Sequence, residues 1–132
     1  MYYIMAVEVI KTDKAPGAVG PYSQAIKAGD FLFASGQVPI NPEKGKIVAG
    51  SVTEQAEQCM KNVGAILEAA GLSYDNVVKT TVYLSDINFF GAVNAVYGKY
   101  FQKTLPARSC IEISKLPLGA LLEVEVVAYC GK

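Results

Sequence analysis

Two strand-like segments near the C-terminus carry the side chains best suited to chemistry. In the first, the alternation of a strand places Arg108, Cys110 and Glu112 on one face. In the second, which ends the chain, Glu123 and Glu125 lie opposite an apolar face that we expect to pack against helices. The sequence therefore predicts that a guanidinium, a thiol and three carboxylates project together from the far side of a sheet.

A guanidinium beside carboxylates could bind and hydrolyse a small acid. Arg108 is suited to two-point recognition of a substrate carboxylate, and Glu123 or Glu125 could transfer protons. Less specific interpretations remain open: Arg108 could pair with one of these glutamates, or the face could meet solvent, as one side of an antiparallel sheet often does. Cys110 on a strand is more often packed than nucleophilic, although it could be sensitive to oxidation.

The composition restricts the chemistry further. The 132 residues include no histidine, which excludes Ser-His-Asp and Cys-His nucleophile systems and the usual zinc sites. Acidic and basic residues number 12 each, so the net attraction that supports nucleic-acid binding is missing. Three cysteines without a CxxC pair favour reduced thiols in the cytoplasm. We expect no secretory signal, and no apolar run approaches the roughly 20 residues of a membrane helix.

The elements that must position these residues form the order βββαβαββ in a single α+β domain. A first helix should begin at the capping box of Ser51 and Glu54 and end at Gly71, and Asp86 or Asn88 could cap a second helix with an aromatic core-facing stripe. Because each helix joins two strands, we expect a mixed β-sheet with both helices packed on one face. The predicted strands span 6–10, 23–28, 31–36, 77–84, 107–113 and 121–130, with residues 41–50 predicted as a loop.

The apolar content predicts an assembly. Hydrophobic residues make up 52% of the chain, more than two helices on one face of a sheet would cover. We therefore expect another copy of the chain to pack on the charged face of the sheet, in a closed symmetric ring.

Four segments of the sequence, in order, resemble the RidA (YjgF) family of imine deaminases. They are GPYSQ at 20–24, ASGQVP at 34–39, VNAVY at 93–97 and LPARSCIE at 105–112, followed by Glu123. The resemblance extends from about Ile10 to the C-terminus. We expect a single domain spanning residues 1–132, of which residues 1–4 could be an extension. An arginine in the PARSC segment marks the deaminating branch of this family, and Arg108 occupies that position.

The resemblance implies a chorismate-mutase-like fold and a homotrimer with three sites in the clefts between subunits. It implies hydrolysis of 2-iminobutanoate and 2-iminopropanoate, or its tautomer 2-aminoacrylate, to 2-keto acids and ammonia. Pyridoxal-phosphate enzymes such as threonine dehydratase release these imines, and the hydrolysis itself needs no cofactor. Arg108 would pair with the substrate carboxylate and Glu123 would position the attacking water. The positions that match pocket residues of the family are Tyr22, Ser35, Gly36, Asn94 and Cys110.

Taken singly, several of these residues have ordinary structural explanations. Tyr22 could close the edge of a core, Asn94 could cap or turn, and Gly36 allows close approach of the backbone. Tyr97 is predicted as core, like the other aromatic residues of its helix. Two other functions remain open: a non-catalytic module that binds small carboxylates or acts as a chaperone, and the RNA-cleaving role attributed to some relatives, against which the neutral charge and missing histidine argue.

Overall fold

A computed structural model describes residues 7–131, which form a mixed sheet covered on one face by two α-helices. The helices are α1 (Val52–Ala69) and α2 (Phe90–Tyr100). The strands are β1 (Val7–Ile10), β2 (Ala25–Ala28), β3 (Phe31–Ala34), β4 (Ile40–Asn41), β5 (Lys46–Ile47), β6 (Val77–Leu84), β7 (Ala107–Glu112) and β8 (Leu122–Tyr129). The start of the first predicted strand and the expected extension at residues 1–4 lie outside the described residues.

The six-stranded sheet has the order β1-β2-β3-β8-β6-β7. Strands β6 and β7 run parallel because α2 crosses over between them, whereas the other neighbouring strands of this sheet are antiparallel. The predicted α+β class, with its mixed sheet and both helices on one face, is therefore confirmed.

The segment predicted as a loop at 41–50 contains most of a short hairpin, in which β4 pairs with β5. Strands of two residues are too short to show alternation, so the sequence pattern could not reveal them. The Asn41 side chain accepts a hydrogen bond from the Glu43 amide at 2.9 Å and organises the turn. Asn62 of α1 donates to the backbone oxygens of Val38 and Ile40 at 3.1 and 2.9 Å, which anchors the hairpin to the helix.

Helix α1 begins and ends at its predicted signals, whereas the cap predicted for the second helix lies one short turn before α2. The Ser51 amide donates to the Glu54 carboxylate at 2.8 Å, and Gly71 takes a positive φ of 74° just beyond α1. Asp86 caps a short 3-10 turn (Ile87–Phe89) that leads into α2. No helix within residues 7–131 is long and apolar enough to cross a membrane.

The core lies between the helices and the face of the sheet that they cover. The helices contribute the predicted apolar stripes, and β8 contributes alternate residues. The fully buried side chains of largest volume include Leu32, Met60, Ile66, Leu67, Leu84, Leu122, Val124 and Val126.

Candidate active site

Arg108 lies on edge strand β7 and points towards helix α2. Its Nη1 donates a hydrogen bond to Oδ1 of Asn94 at 2.8 Å. Its Cζ lies 4.8 Å from the ring centroid of Tyr97 and 5.4 Å from that of Phe90, within cation-π range. The half-buried guanidinium is therefore held by an amide and two aromatic rings, all from one helix.

The charge of Arg108 is not neutralised by any carboxylate within residues 7–131. The ion pairs of that part of the chain join Lys99 to Glu57 and Lys103 to Asp75. The predicted alternative, an ion pair between Arg108 and Glu123 or Glu125, is therefore wrong. A guanidinium that donates to a neutral amide keeps its positive charge available for an anionic ligand.

Cys110 lies on the same face of β7 as Arg108, two residues further along. Burial raises the pKa of its thiol, and the nearby Arg108 only partly opposes this rise. The side chain packs against the hydrophobic core. At neutral pH it is therefore a thiol rather than a thiolate, which is consistent with a lining residue and not with a nucleophile.

Glu123, near the start of β8, lines a cavity of about 720 Å³ together with Tyr22, Ser35 and Gly36. The half-exposed Tyr22 is on the opening side, with its hydroxyl 3.5 Å from the Val19 amide. The Ser35 hydroxyl donates to the backbone oxygen of Ser23 at 2.6 Å, so its lone pairs remain free to accept. Four predicted site residues thus share one cavity.

Gly36 permits the position of the Glu123 carboxylate. A Cβ atom placed on Gly36 would lie 2.5 Å from Oε1 and 2.6 Å from Cδ of Glu123, closer than nonbonded atoms approach. The backbone of the neighbouring Gln37 pairs with Val124 in both directions, at 2.8 and 3.0 Å, which fixes Gly36 beside β8. The absence of a side chain at Gly36 is therefore required for this contact.

The environment distinguishes Glu123 from Glu125, which the sequence could not do. Burial, and secondly the charge of Glu125, raises the pKa of Glu123 above that of an ordinary carboxyl. Glu125 instead accepts a hydrogen bond from the Tyr83 hydroxyl at 2.8 Å and does not line the cavity. Glu123 is thus the stronger candidate for a general base.

Two glutamines that frame the cavity belong to the quoted motifs but were not predicted as functional. Buried Gln24 exchanges hydrogen bonds with the backbone of Thr12 at 2.8 and 2.9 Å and donates to the Pro16 oxygen at 2.8 Å. Buried Gln37 donates to the Ser35 oxygen at 3.2 Å. Their place within the motifs GPYSQ and ASGQVP was the available signal.

The prediction that Arg108 and Glu123 project from one face of the sheet is wrong. Arg108 is aligned with Thr80, which is aligned with Val126 on the face that the helices cover. Glu123 is aligned with Tyr83 and therefore lies on the opposite face. Strand β6 also separates β7 from β8, so the two residues are not on neighbouring strands.

The error has a physical cause. Alternation shows which residues of one strand share a face, but the register between strands decides how faces of different strands match. The polar side chains of edge strand β7 were expected to avoid the helices, yet Asn94, Tyr97 and Phe90 accommodate Arg108. The predicted site residues therefore form two groups on opposite sides of the sheet: Arg108, Asn94 and Cys110 in one, and Tyr22, Ser35, Gly36 and Glu123 in the other.

Comparison with known proteins is consistent across sequence and structure. Residues 12–130 match the family model described as Endoribonuclease L-PSP. A RutC family protein of Pyrococcus abyssi is 54% identical over 125 residues, covering 95% of this chain and 98% of that protein. The 2-iminobutanoate/2-iminopropanoate deaminase of Mus musculus is 50% identical over 124 residues, covering 94% and 92%.

The fold matches equally well. The crystal structure of E. coli TdcF with bound serine has a TM-score of 0.90 and 42% identity, covering 94% of this chain and 99% of that one. The match to the family model spans residues 12–130, a range that contains both groups of site residues, and the relatives align over nearly the whole chain. The chain therefore belongs to the Endoribonuclease L-PSP family, which is the RidA (YjgF) family that its four motifs resemble.

Proposed function

We propose that this chain is an enzyme that hydrolyses 2-imino acids and their enamine tautomers to 2-keto acids and ammonia. Its relatives at about 50% identity carry the name 2-iminobutanoate/2-iminopropanoate deaminase. The observation that carries the proposal is the charge of Arg108, which no carboxylate among residues 7–131 neutralises and which Asn94 and two aromatic rings hold in place. Substrates of this class have a carboxylate that such a guanidinium would bind.

The proposed mechanism uses orientation and one proton carrier. Arg108 binds the substrate carboxylate, and Glu123 accepts a proton from water as its oxygen attacks the electrophilic imine carbon. The C=N bond becomes a C–N single bond in a tetrahedral intermediate. When the imine reacts in its N-protonated form, Glu123 then returns the proton to nitrogen, the C–N bond breaks and ammonia leaves, while the hydroxyl proton passes to Glu123 as the C=O bond forms and is released from there to solvent. No covalent bond to the enzyme is made, in keeping with a chain that has no histidine.

The two halves of the site could act together only across a contact between chains, and we propose that they do so in a homotrimer. Arg108 from one copy would face Glu123 from the next. The uncovered face of the sheet supports this assembly, since large apolar side chains are exposed there. They include Val7, Val9, Phe31, Phe33, Ile111 and Tyr129.

The three cysteines, Cys59, Cys110 and Cys130, are free thiols. This supports a proposed cytoplasmic location, because a reducing compartment keeps such thiols from oxidising. The proposed partners are thus a small imino acid and further copies of the same chain, without nucleic acid or membrane.

The decisive experiment generates 2-aminoacrylate in situ with a pyridoxal-phosphate lyase and follows pyruvate formation. We expect the purified chain to accelerate pyruvate release above the spontaneous rate, and Arg108→Ala to lower kcat/KM by roughly 30-fold to several thousand-fold. Lys103→Ala is the matched control, since it removes an exposed cation that pairs with Asp75. Equal pyruvate release with and without the wild-type protein would refute the proposal.

The pyruvate assay, together with a binding measurement, distinguishes the enzyme from a carboxylate-binding module. A carboxylate-binding module would also use the free charge of Arg108, and it would bind 2-oxobutanoate without any turnover of the imine. RNA cleavage, which the family description names, is not supported by a chain with zero net charge and no histidine.

A further inference from the structure

Tyr97 contacts the guanidinium of Arg108 as well as packing in the core. The ring is 7% exposed, and its centroid lies 4.8 Å from Cζ of Arg108. The ring also packs against the ring of Phe101, with the two centroids 4.6 Å apart. The ring therefore has little freedom to move away from the guanidinium.

The hydroxyl of Tyr97 is tied to the sheet next to Arg108. It lies 2.7 Å from Oγ1 of Thr80, a side chain that is 0% exposed. Thr80 is the residue of β6 aligned with Arg108 of β7, so the two side chains point to the same helix. The hydrogen bond thus fixes the distance between α2 and the sheet at the position where the guanidinium lies.

We propose that Tyr97, held by Thr80, is a positioning residue that sets the plane of the Arg108 guanidinium for the substrate carboxylate. The inference rests on the proposed function. The ring faces the guanidinium carbon, while Asn94 accepts from Nη1. A carboxylate must then approach the remaining N–H groups in the guanidinium plane, which is the geometry of two-point binding.

Four variants test this role, and the matched control lies on the same helix. Tyr97→Leu removes the ring, Tyr97→Phe and Thr80→Val each remove one partner of the hydrogen bond, and Thr80→Ser keeps the hydroxyl. Tyr100→Phe makes the same chemical change as Tyr97→Phe, but its hydroxyl donates to Glu57 at 2.6 Å and does not contact Arg108.

We expect the KM for the imino acid to rise about 3- to 30-fold in Tyr97→Leu, with a smaller fall in kcat. Tyr97→Phe and Thr80→Val should raise KM about threefold, while Thr80→Ser should restore the wild-type value. Tyr100→Phe should lower the melting temperature without changing KM. A purely structural role would lower stability in all variants and leave the split between KM and kcat unchanged.

A second readout does not depend on turnover. The side-chain 15N signals of Arg108 report rotation of the guanidinium, which we expect to be slow in the wild type and faster in Tyr97→Leu. If Tyr97→Leu is poorly folded, the volume-conserving Tyr97→Phe and Thr80→Val decide the matter by the same two measurements.

The outcomes separate this inference from the function on which it rests. An inactive wild type would refute the proposed function, and the 15N measurement would still test whether Tyr97 restrains Arg108. If the wild type is active and Arg108→Ala raises KM, but Tyr97→Phe and Thr80→Val have wild-type KM and slow guanidinium rotation, the inference is overturned.

Discussion

Glu123 is half-buried beside a second carboxylate, so folding disfavours the charged form that the proposed general base requires. Burial, and then Glu125, raises its pKa in the folded chain. A carboxyl whose pKa rises on folding binds its proton more tightly when folded, so it favours the folded state below the ordinary carboxyl range of about 4. That contribution is lost as the pH rises through the raised pKa.

We therefore predict that Glu123→Gln raises the melting temperature at pH 7 while lowering turnover strongly. The difference in melting temperature from the wild type should shrink as the pH is lowered towards about 4, where the wild-type carboxyl is protonated. Thermal unfolding across this pH range measures the effect, with the exposed Glu43→Gln as control. A lower melting temperature for Glu123→Gln at pH 7 would contradict the prediction.

Gly36 offers a way to move the same carboxylate without changing its chemistry. In Gly36→Ala the new methyl group would meet Glu123 at 2.5 Å, so the flexible end of the glutamate must rotate away. We expect stability close to wild type but a loss in kcat of about 100-fold, because small displacements of a reacting group have large effects. Gly98→Ala, which has open space around its new methyl group, should retain full activity. Equal kcat in both variants would show that the observed position of Glu123 is not the active one.

At the level of elements, the loop before β2 depends on one side chain. Gln24 holds the backbone of Thr12 and Pro16 by three hydrogen bonds of 2.8 to 2.9 Å, and this loop forms one wall of the Glu123 cavity. In Gln24→Ala these partly buried backbone groups lose their partner, at a cost of about 1 kcal/mol.

The expected result for Gln24→Ala is faster amide hydrogen exchange at Thr12, together with a raised KM. Gln102→Ala is the matched control, because the Gln102 side chain also donates to a backbone oxygen but does so on the exposed surface. Exchange at Thr12 that stays as slow as in the wild type would show that Gln24 does not organise the loop.

The elements differed in how far the sequence could predict them. Helix α1 and strand β6 were predictable because a capping box, an apolar stripe and a run of β-branched residues are local signals. The β4–β5 hairpin was not, since two-residue strands lack a period. The placement of Arg108 depended on the register between β6 and β7, which is a non-local property that no single segment carries.

The full set of candidate site residues came from the family motifs. Residue type and spacing could suggest a guanidinium and a carboxylate, but they could not separate Glu123 from Glu125. The folded structure distinguishes the two glutamates. Glu125 accepts a hydrogen bond from the Tyr83 hydroxyl, whereas Glu123 lines the cavity. Tyr97 could not be identified in this way. Its position in the apolar stripe of its helix indicates a core residue and gives no sign of its contact with Arg108.

At the scale of the whole molecule, the sheet itself separates the two groups of site residues. Arg108 lies on the face that the helices cover, and Glu123 lies on the uncovered face two strands away. Neither side chain can cross the sheet while its strand remains paired. A reaction that needs both residues is therefore possible only between copies of the chain, which ties activity to assembly.

Mixed rings test this consequence directly. Chains with Arg108→Ala and chains with Glu123→Gln can be co-expressed with different affinity tags, and rings that contain both are isolated by two successive purifications. In a cyclic trimer of either mixed composition, one cleft of the three joins an intact Arg108 to an intact Glu123. We predict about one third of the wild-type rate from mixed rings, almost none from either parent variant, and a light-scattering mass of three chains. Mixed rings as inactive as their parents, beside an active wild type carrying the same tags, would mean that each site is built within a single chain.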